Sequence, residues 1–369
     1  MATKLSRRSL LQQMLSLAAG ASLFSPAGIA HALTSEGAQA EEYLLLGCTK
    51  QHGKHQLSAM ASNGDLRYQL DLPARGHYVA VANTPQPVAA CIARRPGHYI
   101  AMFNPHTGQP VHELTPPASM HFYGHAVFSE DANKLYVTAG YTANSQGAIL
   151  VYLQQENSWQ LSQTWPLAGL GPHQLLLLPG KRLVVAVGGI HTQGRDKLNL
   201  DDMQPALVYL NSESGEQMLS RSLDNSQLSI RHLSYSPQTD TVWLACQGQN
   251  PKQTVRSLIY SHKGEQACQA LDPDADYWSL FEHYIGSVVC SNGTVLASSP
   301  RGAKLAAWSE ADRELQQLIH VDDVCGLAAH EKGWVASTGQ GQLLQTSNKL
   351  KRQHTALQWD NHLSVVPIQ

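Results

Sequence analysis

Five histidines of this chain stand in the same local setting: a turn-like lead, the histidine, then a short apolar run. They are His77 in Arg75-Gly-His-Tyr-Val-Ala-Val, His125 in Tyr123-Gly-His-Ala-Val-Phe-Ser, His173 in Gly171-Pro-His-Gln-Leu-Leu-Leu, His232 in Ile230-Arg-His-Leu-Ser-Tyr-Ser and His362 in Asp360-Asn-His-Leu-Ser-Val-Val. Neutral imidazole is the commonest protein ligand for zinc, copper, iron and nickel. Three or more of these rings brought together could hold a transition metal (Fe, Cu or Zn), with a position left for solvent or substrate. The same rings could instead be repeated packing residues that hydrogen-bond across neighbouring elements. The pattern leaves both readings open.

Their spacing indicates what must position them. His77, His125 and His173 follow one another at intervals of 48 residues, close to the length of one four-stranded propeller blade. Beyond the N-terminal segment, almost every stretch reads as a strand of four to seven residues bounded by Gly, Pro, Asn or Asp, without a long amphipathic helix. Six units of four strands begin at His77, His125, His173, His232, near Gly286 and near Gly326. Three strands precede the first unit, and one strand, His362 to Val366, follows the last. The expected fold is therefore all-β, a seven-bladed β-propeller with 1+3 ring closure, in which the C-terminal inner strand completes the N-terminal blade and no sheet edge is left open. Residues 41–369 form this single domain.

In a propeller the first strand of each blade lines the axis, which places the five histidines around the mouth of the central channel as an arc. Gly286 or Ser287 and Gly326 leave a gap in it. The same face collects candidate ligand-binding residues: Arg75, Tyr123, Arg231 and Arg301, together with Arg195 and Asp201 from an insertion spanning Gly188 to Pro205. Several arginines on one face could grip carboxylates or phosphates through bidentate hydrogen bonds, with the histidines as donors or bases. The insertion suits a loop folded over the funnel.

Lys4 and Arg7-Arg8, an apolar stretch from Leu10 to Phe24 and Ala30-His-Ala32 read as a signal peptide over residues 1–32, with a later cleavage site ending at Ala40. The paired arginines match the twin-arginine (Tat) export signal, which predicts a periplasmic protein. Cleavage after Ala32 leaves 337 residues, about 48 per blade, and moves the net charge from −2 to about −5. That balance argues against nucleic acid as a partner, and no other apolar run is long enough for membrane insertion after signal cleavage. The six cysteines form no C-x-x-C pair and read as small buried residues with at most one bridge. Nucleophile-elbow, P-loop, dinucleotide and haem-attachment motifs are all missing.

Several phrases together resemble a bacterial family of unknown function, domain number 1513. They are the twin-arginine signal, His121-Phe-Tyr-Gly-His125-Ala-Val-Phe-Ser, Gly171-Pro-His173, Gly194-Arg195 with Leu198-Asn-Leu-Asp201, Gln227-Leu-Ser-Ile-Arg231-His232-Leu, Ser299-Pro-Arg301-Gly and Cys325-Gly-Leu. The chain departs from that family at Ala126 and Ala303, where glycine is expected. The resemblance implies an exported, propeller-like protein, and the frequent proximity of such proteins to iron-uptake components implies a metal-linked envelope role with periplasmic iron-uptake proteins as partners. The leading expectation is a binding protein that holds a transition metal, or a small-molecule ligand bearing one, at a histidine-lined funnel. The alternatives are a metal-dependent propeller enzyme of lactonase or oxidoreductase type, and an interaction scaffold whose histidines are structural.

Overall fold

Apolar residues alternate with polar ones too weakly along these strands for a sheet with a wet face. Arg182–Val187, for example, is buried at five consecutive positions, as a strand covered on both faces must be. The computed structural model, which describes residues 43–82, 84–156, 158–194, 196–272, 275–346 and 349–368, shows why. Among the described residues the strands form seven four-stranded antiparallel sheets and one two-stranded ribbon in the insertion, Thr192–Gln193 with Asp196–Lys197, and each face of a four-stranded sheet packs on the neighbouring sheet. The export signal read at residues 1–32 lies outside the described residues.

Taking blades in chain order, the inner strands are Gly76–Ala82, Met120–Phe128, Pro172–Leu178, Leu228–Ser236, Ser287–Ser291, Val324–His330 and Gln358–Pro367. Three further strands follow each of the first six outward. In the seventh, Gln358–Pro367 pairs antiparallel with Tyr43–Gln51, matching Leu45 with Val365 and Leu46 with Ser364. Lys54–Ala61 and Leu66–Asp71 then complete that sheet. Each inner strand touches that of the next blade, and Gln358–Pro367 touches both Val324–His330 and Gly76–Ala82, so the seven inner strands close a ring.

The cores lie between blades. One cluster built on Ile92, Met102, Phe122 and Leu150 joins the first two blades, and one built on Leu183, Val185, Ile149 and Val151 joins the second and third. The wedge between the fourth and fifth blades is filled by a short 3-10 segment, Asp276–Phe281, which the sequence pattern does not predict. Its Trp278 stacks on Trp308 at 5.6 Å and 14°. All six cysteines are free thiols, and Cys48 and Cys91 approach to 3.5 Å across the interface of the seventh and first blades. Among the described residues, no helix is long and apolar enough to cross a membrane.

Candidate functional site

A regular inner strand would send alternate side chains into the two flanking blade interfaces, and a histidine there would be one more packing residue. The register of these strands is not regular. Pairing with the second strand slips between Gly76 and Tyr78, between Phe122 and Ala126, between Pro172 and Leu175, and between Ile230 and His232. The slip in the closing blade falls between Trp359 and Leu363. Each irregularity contains or adjoins one of the five histidines, and a bulge re-aims the side chain it carries. The fifth blade pairs without interruption and has no histidine there. The sixth slips between Val324 and Leu327, around Gly326. In the second blade the bulge needs Gly124. It holds φ +103°, and a Cβ there would lie 2.5 Å from Cδ2 of His77.

The rings converge. His362 and His77 are 4.6 Å apart between centroids, His77 and His125 4.9 Å, His125 and His173 4.7 Å, His173 and His232 5.0 Å, and His232 and His362 4.7 Å. The expected arc with a gap is thus corrected to a closed, compact cluster. Glycine and serine in the fifth and sixth blades are too small to keep His232 and His362 apart. The packing is mostly edge to face, and it runs through the middle as well, with His125 and His362 at 4.9 Å.

Four of the rings are buried, and His173 is partly exposed. Burial holds His77, His125, His173 and His232 well below the ordinary 6.5, and neighbouring imidazoles press the same way. Arg94 adds to the effect at His77, and Arg231 at His173 and His232. Burial lowers His362 to about 4 against the opposing charge of Asp360. All five are therefore neutral at pH 7, the form in which imidazole coordinates a metal. Both ring nitrogens of His77 and His125, Nδ1 of His173 and His232, and Nε2 of His362 are buried without a hydrogen-bond partner among the described residues. Cross-blade hydrogen bonds, the structural use considered for these residues, are not made by these nitrogens.

Among the described residues, two triads have ligand nitrogens within 4.8 Å of one another: His77, His125 and His362, and His125, His173 and His232. Metal–nitrogen bonds of about 2.0–2.1 Å require donor atoms closer than that limit, so the rings would turn inward on binding. The donor set thus fits a borderline transition metal.

Above the rings lies a collar of cationic and phenolic groups. Arg75 is paired with Asp360. Arg231 is drawn down to about 10 by burial and by Arg95, with Tyr284 and Tyr123 opposing. Tyr123 is buried. Arg301 is exposed and stacks 4.4 Å over Tyr284. The insertion is fastened beside them: Arg95 donates to Thr192 at 2.6 Å, Ser229 donates to the Gly188 carbonyl at 2.8 Å, and Gln227 donates to the Leu200 carbonyl at 2.7 Å. Asp201 is exposed in the one-turn 3-10 helix Leu200–Asp202, and Arg195 lies outside the described residues. The sequence reading did not single out Tyr284, Lys197 or Tyr78. Tyr284 precedes the fifth inner strand much as Tyr123 and Arg231 stand in theirs, and that shared lead position was the available signal. Tyr78 lies 5.1 Å from His125 and lines a cavity of about 440 Å³ on the opposite side of the rings.

Fold and site together define a seven-bladed β-propeller with a histidine cluster on its axis. The chain belongs to the family described as Protein of unknown function (DUF1513), whose model matches residues 70–366. No curated protein matches it in sequence. Among solved structures it is similar to Kuenenia stuttgartiensis hydrazine synthase, with 12% identity, a TM-score of 0.60 and 89% of this chain aligned to 99% of that one. It is also similar to a protein from Lactobacillus plantarum, with 15% identity, a TM-score of 0.59 and 89% of this chain aligned to 100% of that one. At such identities the likeness speaks for the fold alone.

Proposed function

We propose that the five-histidine cluster binds a transition metal ion, iron, copper or zinc, and that the protein is a periplasmic metal-binding propeller acting in an iron-related envelope process. The observation that carries this reading is the set of buried ring nitrogens without partners at the convergence of five blades. Leaving a buried polar atom unpaired costs about 1–3 kcal/mol. Repeating that cost around one axis is hard to reconcile with packing and natural for ligands awaiting an ion. The depressed basicity of the rings supports it, since metal and proton compete for the same lone pair. The Arg7-Arg8 signal supports export in the folded state, and the family resemblance supports the iron-related setting.

The test is elemental analysis of the exported protein purified without chelator or histidine tag, beside the His125→Ala/His173→Ala variant. Stoichiometric metal that this variant loses while staying folded supports the reading. A native protein that holds no metal even after reconstitution with iron, copper or zinc overturns it.

A further inference from the structure

We propose that the collar above the histidines is an oxyanion site, taking a carboxylate or phosphate group of the ligand between Arg231, Tyr123 and Arg301. The inference deepens the metal reading by naming what shares the funnel with the ion.

The geometry carries it in three ways. First, Arg231 stands in the register slip next to His232, and its Nε is buried with no partner among the described residues. A guanidinium held this way lacks the bidentate acceptor that normally accompanies it. Its Cζ would lie 3.2 Å from a Cβ at Gly188, so it packs on bare backbone that leaves no room for a side chain. Second, the hydroxyl of Tyr123 is also buried, beside the Ser145 hydroxyl; burial raises its pKa, and Ser145, Arg95 and Arg231 oppose the rise. Two donors from two blades therefore face the same funnel, and the guanidinium Nε among them has no protein acceptor among the described residues. Third, cations crowd this face: Lys197 is lowered by burial first and then by the charges of Arg231, Arg301 and Arg95. The nearby carboxylate of Asp360 is already paired with Arg75. A metal cation below would add to this excess. An anion that bridges donors and ion is the partner such a field selects.

The experiment uses the full mature chain stripped of metal, so that the collar is read without the ion. Inorganic phosphate and succinate are titrated separately by calorimetry at low ionic strength, against wild type, Arg231→Gln, Tyr123→Phe and Arg301→Gln. One anion should bind per chain, weakened tenfold or more by Arg231→Gln and less by the other two changes, with metal uptake of the variants equal to wild type. Preference for phosphate or for succinate assigns the group that the collar reads. Should Arg231→Gln fail to fold, loss of binding in the exposed Arg301→Gln carries the same meaning. The proposal is overturned if neither anion binds to wild type, or if all three variants bind as wild type does. Anion binding by a protein that never takes up metal would overturn the metal reading and leave this one standing.

Discussion

Acidifying the metal-free protein should destabilise it between pH 6.5 and about 4, and the histidine cluster sets the size of the effect. His362 is lowered by burial from 6.5 to about 4. In the unfolded chain it takes up a proton as pH falls through 6.5, while in the fold it stays neutral, so stability is full above 6.5 and declines with acidification. From those two values, the free energy lost by pH 4.5 is about 2.5 kcal/mol for this residue alone. For a domain of this length, that lowers the melting temperature by roughly 4 °C. His77, His125, His173 and His232 are held down as well, by burial and by one another, so the whole cluster should exceed this figure. The groups facing His362 are the other imidazoles, Arg94, which adds to the shift, and Asp360, which opposes it. Denaturant unfolding of stripped protein at pH 7, 6, 5 and 4.5 reads the slope, and His362→Gln should flatten it. Metal-loaded protein should resist acid until the ion is released. A flat profile between pH 7 and 5, or ring proton resonances titrating near 6.5 in the folded state, would refute the reasoning.

Gly124→Ala forces a side chain into φ +103° and into the His77 ring. It should cost about 1–3 kcal/mol in denaturant unfolding and reduce metal uptake, and wild-type values of both would show that the bulge does not position the cluster. Ala303 holds φ +50° where the family resemblance expects glycine. Ala303→Gly should relieve left-handed strain of about 1–2 kcal/mol, less the extra chain entropy of glycine, for a net gain of up to about 1 kcal/mol; clear destabilisation would contradict this. Deleting residues 358–369 removes the inner strand of the seventh blade and bares the edge of Tyr43–Gln51. The truncated chain should aggregate or lose its cooperative transition, whereas a soluble protein with a wild-type melting curve would show that closure is dispensable.

The blades are legible in the strand pattern because the architecture is written locally. Apolar runs ended by Gly, Pro, Asn and Asp define strands such as Val88–Ala93 and Pro110–Leu114 to the residue. The pattern failed where local signals mislead. Met120–Phe128 begins five residues before the expected start at His125, because Gly124 looks like a turn yet serves a bulge within the strand. The 3-10 segment Asp276–Phe281 is too short to carry a periodic signature, and it was placed by Trp278 and Phe281 packing against Trp308.

The sequence by itself determined that histidines recur at the head of successive inner strands, since repeat spacing and strand periodicity are properties of the chain. Tertiary structure alone decided that they meet. Register slips between paired strands turn each ring toward the axis, and closure of seven blades brings His362 against His77 although 285 residues separate them in the chain. The small residues of the fifth and sixth blades then let His232 reach His362. The same is true of Arg231. Its setting, half-buried beside another blade's tyrosine with Nε enclosed and unpaired among the described residues, exists only once the blades are packed, because burial and pairing belong to the assembled ring.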